Sequence, residues 1–414
     1  MMHWLFVLGS LLFTSVFLLV QYYLYRRIKR YLKEIKAQRW QQLSASGLFI
    51  LFNIPLIIIA IWRPRISTLP YWFILTGVMP FYIWHASLFA LFFFLMLGKL
   101  MKLPVVGAMW LRKKLKSHSP SDIQTEREQE FPYSPERRVL LQRGILLLTG
   151  ATFTSTIYGT FRRHDYELLS QEIPIKGLPA ELNGFTIALT SDVHSSVFMW
   201  KARMIEYAQA INSVAADMIL VTGDFVTMQV EEVYPFGEAF SILKAPHGVY
   251  GVLGNHDFYT RQVDTIAKEV NACGITLLRN NSIKIEKNGK SFFLLGVDDI
   301  GTHAQANKVI GQALEHTTDD VPKILMCHRP YFFEVAAKKG VALTLSGHTH
   351  GGQVVFFRTS NNVISPARMA SPYVSGLYSL GENSLYVNRG LGTVGIPVRI
   401  NCPPEITKIK LVSA

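Results

Sequence analysis

Residues 187–194 read Ile-Ala-Leu-Thr-Ser-Asp-Val-His, an apolar run that stops where Asp192 and His194 begin. Such a short, continuous run is typical of a strand that is buried on both faces. Four other apolar runs stop before a polar side chain in the same way: 218–221 before Asp224, 250–253 before Asn255, 324–326 before His328 and 342–345 before His348. The sequence therefore predicts that these polar side chains lie at the carboxyl ends of strands.

Helix-compatible stretches separate several of these strands. Ala202–Val214 and Val263–Ala272 both carry apolar residues at helical spacing. Strand, helix and strand in repetition predict an α/β fold with right-handed crossovers and with helices covering the sheet. Open sheets of this kind bind ligands at the carboxyl ends of their strands, so we expect the five ligand loops to converge at one edge.

Seven side chains in these loops are of metal-ligand type: Asp192, His194, Asp224, Asn255, His328, His348 and His350. Mixed aspartate, histidine and asparagine ligands suit Mn, Fe or Zn, whereas thiolate-rich sites favour Zn or Cu(I). The three cysteines show no paired spacing, and no glycine-rich nucleotide-binding motif accompanies the ligands. The residue types and their order predict a dinuclear metal hydrolase.

The order of these motifs resembles that of the calcineurin-like metallophosphoesterases: Asp192-Val193-His194, Gly223-Asp224, Gly254-Asn255-His256-Asp257, His328 and Gly347-His348-Thr349-His350. The continuation from His350 through Gln353 and the later Asn388-Arg389-Gly390 resemble the membrane-associated or exported bacterial branch of that family. The resemblance implies a four-layer sandwich of two mixed β-sheets flanked by helices. The residues by themselves predict only strand-helix alternation followed by a strand-rich end.

The resemblance also implies a role for each ligand. Asp192, His194 and His350 are expected at the first metal ion, Asn255, His328 and His348 at the second, and Asp224 between both. Two divalent ions, Mn, Zn or Fe, would then sit about 3.5–4 Å apart and share a hydroxide that attacks the phosphate ester.

Further residues are assigned to the reaction or to the substrate. His256 is placed to donate a proton or a hydrogen bond to the leaving oxygen, and Asp257 is a candidate to orient the His256 imidazole. Arg329, next to His328, is a weaker candidate for contact with an anionic substrate. Thr227 departs from the family pattern, which often has aspartate at that position, so we expect weaker support for the loop.

The first 164 residues differ in composition from the remainder. Leu5–Tyr25, Gly47–Trp62 and Tyr71–Leu97 are nearly free of charge, and a membrane span needs about 20 apolar residues. We predict four regions: three transmembrane helices in 1–110, a polar linker with a twin-arginine-like motif in 111–143, a fourth transmembrane or signal-like segment in 144–163 and the catalytic domain in 165–414.

The distribution of basic residues predicts the orientation of these helices in a bacterial inner membrane. Lysine and arginine crowd the loops after the first and third apolar stretches, whereas only Arg63 and Arg65 follow the second. By the positive-inside rule, the first and third loops are cytoplasmic. If residues 144–161 span, which we favour, the catalytic domain is periplasmic or extracellular; if they lie on the surface, it is cytoplasmic.

The net charge of +13 does not indicate a nucleic-acid partner. Residues 1–164 hold 21 Lys and Arg against 6 Asp and Glu, whereas residues 165–414 hold 21 against 23. The excess therefore lies in loops beside the membrane, where it meets anionic lipid headgroups. A groove that tracks phosphates would need a basic patch, so the charge distribution disfavours a nuclease.

Three functions are compared. The leading one is a membrane-anchored phosphoesterase that hydrolyses phosphodiester or pyrophosphate bonds in a lipid-linked or envelope substrate. The second is the UDP-2,3-diacylglucosamine pyrophosphatase reaction at the cytoplasmic membrane face, because this region resembles some enzymes of that kind. The third is a membrane transporter or receptor with an inactive hydrolase domain, which predicts missing ligands, whereas all seven are present.

Overall fold

The computed structural model describes residues 2–62, 69–116, 135–299, 301–359 and 363–414. The chain divides into two units, Met1–Ile157 and Tyr158–Ala414. Some of the sequence predictions concern residues that the structure does not describe. Residues 117–134 of the predicted linker, and Arg63 and Arg65 of the second loop, lie outside the described residues.

Helices make up the described part of the first unit, and the last of them continues into the second unit. They are α1 Met2–Glu34, α2 Arg39–Trp62, α3 Tyr71–Phe73, α4 Met79–Leu100, α5 Leu103–Lys116 and α6 Pro135–Phe161, with a π-helical turn at Ile74–Val78. Two stretches of the described residues, Arg39–Ile59 and Tyr71–Arg112, are long and apolar enough to cross a membrane. Two of the predicted spans are not among these stretches: Leu5–Tyr25 in α1, and the fourth segment, 144–163, most of which lies in α6.

Both described ends of the predicted linker are helical. Helix α5 continues to Lys116, and α6 begins at Pro135 rather than near residue 144. The predicted polar linker is therefore helical at 111–116 and at 135–143. Lysine, arginine and glutamate are good helix formers, so the loss of apolar character did not mark the ends of these helices. Proline is also well suited to the first position of a helix.

The second unit contains strands and shorter helices. The strands are β1 Glu167–Ile175, β2 Thr186–Thr190, β3 Met218–Val221, β4 Val249–Gly251, β5 Thr276–Leu277, β6 Asn281–Lys287, β7 Lys290–Gly296, β8 Lys323–Met326, β9 Leu343–Ser346, β10 Phe357–Arg358, β11 Val363–Ile364, β12 Gly376–Leu380, β13 Asn383–Val387 and β14 Glu405–Ser413. The helices are α7 Lys201–Ser213, α8 Val233–Phe240, α9 Asn255–Tyr259, α10 Val263–Ala272, α11 His303–Leu314 and α12 Phe333–Lys338.

The described strands form two six-stranded sheets and one short hairpin. The first sheet has the order β1-β14-β2-β3-β4-β5, the second has β12-β13-β9-β8-β7-β6, and β10 pairs with β11. Strands β2 to β5 are parallel, and β14 is antiparallel to β2. Strands β7, β8, β9 and β13 are parallel, with antiparallel β6 and β12 at the two edges. Both sheets are therefore mixed.

Alternation along the strands divides the apolar side chains between layers. Ile187 and Leu189 of β2 belong to the core between the sheets, together with Leu294 of β7 and Leu345 of β9. Ala188, which points to the other face of β2, packs with the helices α7, α8 and α10. Helices α11 and α12 cover the outer face of the second sheet. The prediction of a four-layer sandwich of two mixed sheets flanked by helices is confirmed.

The carboxyl ends of five strands carry the predicted ligand loops. Strands β2, β3 and β4 of the first sheet and β8 and β9 of the second are each followed directly by such a loop. The predicted strands are confirmed, and so are the helices expected at 202–214 and 263–272. Two sheets rather than one therefore supply the ligand loops.

Candidate metal centre

Three of the predicted ligands form a first group of metal-binding type. Nε2 of His194 lies 3.1 Å from Nε2 of His350, and this His350 atom lies 3.4 Å from Oδ1 of Asp192. All three residues are buried, and their ligand atoms lie within 4.8 Å of one another. Two imidazoles and a carboxylate at these distances suit a divalent cation such as Mn, Fe or Zn.

A second group of ligands surrounds Asp224. Its Oδ2 lies 3.2 Å from Nε2 of His328 and 3.4 Å from Nε2 of His194. Nδ1 of His348 lies 3.2 Å from the same Nε2 of His328. Asp224 therefore contacts one histidine of each group, which is the position that a bridging carboxylate requires.

Asn255 supplies an observation that favours a cation in this place. Its Oδ1 is buried and has no hydrogen-bond partner among the described residues. An unsatisfied polar atom in the interior costs about 1–3 kcal/mol, and a cation would satisfy it. The N–H of the next residue, His256, donates to Oδ1 of Asp224 at 2.9 Å and so keeps the start of α9 beside the second group. The donor atoms present therefore fit divalent metal ions.

The carboxylates and imidazoles of the two groups shift one another's pKa. Burial would raise the pKa of Asp224, but the charge of His328 and hydrogen bonds from His194 and His328 hold that pKa well below its usual range. Burial likewise would lower the pKa of His328, but the Asp224 carboxylate raises it to about 10. The carboxylates of the centre thus favour positive charge. Metal binding requires that any protonated imidazole loses its proton.

Five of the seven ligand residues have left-handed backbone conformations. The φ angles are 47° at Asp192, 49° at His194, 55° at Asp224, 72° at His348 and 52° at His350. Residues other than glycine rarely adopt this region, and each instance costs on the order of 1 kcal/mol or more. Buried hydrogen bonds hold the loops: the N–H of His348 donates to both carboxylate oxygens of Asp192, at 3.1 and 2.9 Å. Strain concentrated on ligand-type residues is typical of a functional site.

Two glycines allow the ligand loops to approach one another. A Cβ on Gly254 would lie 2.2 Å from Oδ1 of Asp224. A Cβ on Gly347 would lie 1.8 Å from Oγ of Ser191 and 2.3 Å from Oδ2 of Asp192. No side chain fits at these distances, so close packing between loops requires glycine at both positions.

We expect Gly254→Ala to lower phosphoester hydrolysis by about a hundredfold, because its methyl group must displace the Asp224 carboxylate and a displacement of about 1 Å costs that much. The matched control is Gly311→Ala in α11, where a Cβ meets no atom within 4 Å. Hydrolysis rate and bound metal should be measured for both variants. Unchanged hydrolysis in Gly254→Ala would contradict the close approach of the two loops.

His256 lies beside the first ligand group, with its ring centre 4.7 Å from that of His194. Its Nδ1 lies 2.5 Å from the carbonyl oxygen of Thr227, which can only accept, so Nδ1 carries a proton and Nε2 is left for the substrate. Oε2 of Glu232 accepts from the backbone N–H groups of residues 227–229 at 2.8, 2.9 and 3.1 Å. Glu232 therefore supports the loop in which Thr227 replaces the aspartate of the family pattern.

The prediction that Asp257 orients the His256 imidazole is wrong. The Asp257 carboxylate accepts hydrogen bonds from the backbone N–H groups of residues 224, 225, 226 and 254, at 3.1, 3.0, 3.3 and 2.8 Å. Nδ1 of His256 is already engaged by the carbonyl of Thr227. Asp257 stands in the first turn of α9, where a carboxylate readily binds free N–H groups. It clamps the loop of Asp224 to the start of that helix.

Arg329 is held by a neighbouring aspartate. Its Nε donates to Oδ2 of Asp299 at 2.7 Å, and its Nη1 donates to the hydroxyl of Tyr331 at 3.3 Å. Burial and the charges of His328 and Arg329 lower the pKa of His348 to about 3, so the guanidinium lies within electrostatic reach of the centre. Its contact with a substrate stays a prediction.

Arg399 was not predicted from the sequence. This buried arginine donates to the carbonyl oxygens of Arg389, Gly390 and Gly392, at 2.9, 3.1 and 3.1 Å. The N–H of Gly392 in turn donates to the carbonyl of Asp192 at 2.7 Å. Arg399 therefore fixes the loop that packs against the first ligand group. Backbone N–H and carbonyl groups have no signature in the sequence, so the sequence identified neither Arg399 nor Glu232.

A family model described as calcineurin-like phosphoesterase matches residues 185–352 of the chain. A Bacillus subtilis (strain 168) protein named uncharacterized metallophosphoesterase YkuE is 30% identical over 277 residues, which cover 64% of this chain and 94% of that protein. The Escherichia coli (strain K12) phosphodiesterase YaeI is 29% identical over 232 residues, which cover 55% of this chain and 82% of that protein.

A Danio rerio protein named transmembrane protein with metallophosphoesterase domain is also similar. It is 30% identical over 258 residues, which cover 60% of this chain and 58% of that protein. The chain thus spans little more than half the length of this relative.

Proposed function

The chain belongs to the calcineurin-like metallophosphoesterases, and we propose that it is a metal-dependent hydrolase that cleaves phosphodiester or pyrophosphate bonds in a lipid-linked or envelope substrate. The observation that carries this proposal is the convergence of the ligand groups on Asp224. The short distances from Asp224 to both His194 and His328 support two metal ions in one centre rather than two separate sites.

The ligand assignment follows the two groups. Asp192, His194 and His350 would hold the first ion, Asn255, His328 and His348 the second, and Asp224 both. When bound, two divalent ions, Mn, Zn or Fe, supply an activated water and neutralise charge on the phosphate oxygens.

His256 would assist departure of the leaving group. The Thr227 carbonyl fixes the ring through Nδ1, so Nε2 can offer a proton or a hydrogen bond to the leaving oxygen. Asp257 acts on this step only indirectly, because it holds the backbone on which Asp224 and His256 are mounted. Arg329, already paired with Asp299, would contribute positive charge near the substrate phosphate.

Two observations support a membrane substrate rather than a nucleic acid. Two helical stretches among the described residues are long and apolar enough to cross a membrane. The charges of residues 165–414 nearly cancel, which disfavours a surface that tracks a polynucleotide backbone. The name of the Escherichia coli relative supports the choice of a phosphodiester bond.

The two alternatives differ in what they require. An inactive hydrolase domain should lack ligands, yet the sequence contains all seven predicted ligand residues. The UDP-2,3-diacylglucosamine pyrophosphatase reaction requires a cytoplasmic catalytic unit, whereas we propose that Gly144–Phe161 spans and that the catalytic unit lies outside the cytoplasm. An alkaline phosphatase reporter fused to the carboxyl terminus and active outside the cytoplasm would exclude that pyrophosphatase reaction.

We expect the detergent-solubilised full-length chain to hydrolyse bis-para-nitrophenyl phosphate only when metal is present. Chelation should remove activity, and titration with Mn, Zn or Fe should restore it, because a metal ion lowers the pKa of its bound water to about 7 and so supplies the nucleophile. The release of para-nitrophenolate measures the rate. Full activity after exhaustive chelation would refute metal dependence.

His256→Ala should retain bound metal and lose turnover by about 10²–10⁴-fold, the usual contribution of a positioned acid or base. The loss should be larger for a phenyl leaving group than for para-nitrophenyl, because a more basic leaving oxygen needs protonation more. His247→Ala is a suitable control, since that ring packs on Phe185, away from the ligand loops. Equal losses for the two leaving groups would argue against a role at the leaving oxygen.

A further inference from the structure

A surface on the hairpin β10–β11 combines exposed apolar side chains with positive charge. Phe357 and Ile364 pair across the two strands, and each is 56% exposed. Met369, in the turn that follows, is 94% exposed. Arg368 is exposed and lines the same cavity as Phe357 and Ile364, with a volume of about 460 Å³. We call Phe357, Ile364, Arg368 and Met369 the hairpin surface.

Residues of the hairpin and of the turn after it are hydrogen-bonded to the loop that begins at the ligand His350. Oγ of Ser365 donates to the carbonyl of Gly352 at 3.1 Å, two residues beyond the ligand His350. Sγ of Cys402 lies 3.3 Å from the carbonyl oxygen of His350 and 3.6 Å from Nη2 of Arg358 in β10. The hairpin is therefore anchored to the backbone of the loop that carries the ligand His350.

The segment of sequence that carries the hairpin surface has charge of one sign. Between Glu334 and Glu382 the sequence contains no aspartate or glutamate, although acids slightly outnumber bases in residues 165–414 as a whole. Within this acid-free segment Arg358 and Arg368 lie close to the exposed apolar residues in sequence. Positive charge without a neighbouring acid is complementary to phosphate headgroups.

Exposed aromatic and aliphatic side chains next to arginine suit the interface of a bilayer. The apolar groups enter the boundary of the acyl chains while the guanidinium stays at the headgroups. Soluble proteins rarely leave such side chains clustered without a partner. Two stretches in the described part of the chain are long and apolar enough to cross a membrane, which would bring a lipid surface within reach of the hairpin surface.

We propose that the hairpin surface docks on an anionic lipid surface and presents the phosphoester of a membrane lipid to the metal centre. The presentation of a lipid phosphoester rests on the proposed function. The docking itself does not, so the two parts are tested separately.

Docking is tested with the full-length chain carrying Met369→Cys, labelled with an environment-sensitive fluorophore and reconstituted in nanodiscs of phosphatidylcholine with or without phosphatidylglycerol. The matched control is Tyr234→Cys on α8, which is 48% exposed. The unsubstituted protein gives the background from the native cysteines. We expect blue-shifted, brighter emission at position 369 in the anionic nanodiscs and no change at position 234. Emission at 369 that is the same in both lipid compositions overturns the proposal.

Presentation of lipid is tested with a double variant, Phe357→Asp with Ile364→Asp, which puts negative charge on the hairpin surface. Turnover is measured on phosphatidyl-para-nitrophenol in the anionic nanodiscs and on soluble bis-para-nitrophenyl phosphate, which share a leaving group. We expect the ratio of the first rate to the second to fall about tenfold. An unchanged ratio overturns lipid presentation. If the wild-type chain hydrolyses neither compound, the proposed function fails, while the fluorescence experiment still decides docking.

Discussion

Asp224→Ala should lower hydrolysis of bis-para-nitrophenyl phosphate by about a thousandfold or more and should remove most of the bound metal. Asp224 is the residue that contacts both ligand groups, at 3.4 Å from His194 and 3.2 Å from His328. Its loss removes the anionic oxygen that both ions would share. It also removes the carboxylate that offsets the burial of His328.

A second substitution separates charge from shape at this position. Asp224→Asn keeps an oxygen that can accept from the N–H of His256, so the fold should survive while metal and activity are lost. Asp264→Asn is the control, because that carboxylate is 94% exposed on α10. Thermal unfolding, bound metal and turnover should be measured for the wild type and for both Asn variants. Near-normal turnover in Asp224→Asn would contradict the bridging role.

Asp257→Ala should lower the free energy of unfolding of the second unit by about 3 kcal/mol or more, because each buried N–H group left without an acceptor costs about 1–3 kcal/mol. The substitution leaves four backbone N–H groups without their acceptor, those of residues 224, 225, 226 and 254. The loop of Asp224 would then separate from α9, so activity should fall together with stability. Denaturant unfolding followed by tryptophan fluorescence measures the change.

Asp257→Asn refines this prediction. The amide keeps one oxygen acceptor and replaces the other with a donor that faces backbone N–H groups, so its stability should lie between those of the wild type and Asp257→Ala. If Asp257 instead oriented His256 without supporting the loop, the Ala variant would lose turnover at unchanged stability. That result would restore the catalytic interpretation and refute the clamp.

The parts of the fold that follow periodicity were predictable from the sequence. The run at 187–190 and its four counterparts were recognised as buried strands because each is apolar, β-branched in part and ends at a polar side chain. Helix α10 was predicted with its observed ends, since its apolar residues keep a helical spacing. The division of the strands between two mixed sheets was not contained in this pattern and was implied by the resemblance, and the order of the strands was not predicted.

Contacts that depend on backbone groups were not predictable. Asp257 was assigned to His256 because they are adjacent in sequence, whereas its partners are N–H groups that only the folded loops bring together. Glu232 binds backbone N–H groups and Arg399 binds backbone carbonyl groups. Because every residue type has a backbone carbonyl and nearly every one an N–H, the sequence gives no indication of these contacts. The ends of α5 and α6 were missed because charged residues continue a helix as readily as apolar ones.

Metal analysis of the purified, active full-length chain is the most direct measurement of a dinuclear centre. Elemental analysis should find about two equivalents of Mn, Zn or Fe per chain, and Asp224→Asn should lower both equivalents together, because its carboxylate would serve both ions. Active protein that holds no transition metal, or a variant that keeps its full metal content, would contradict a shared centre at the ends of these strands.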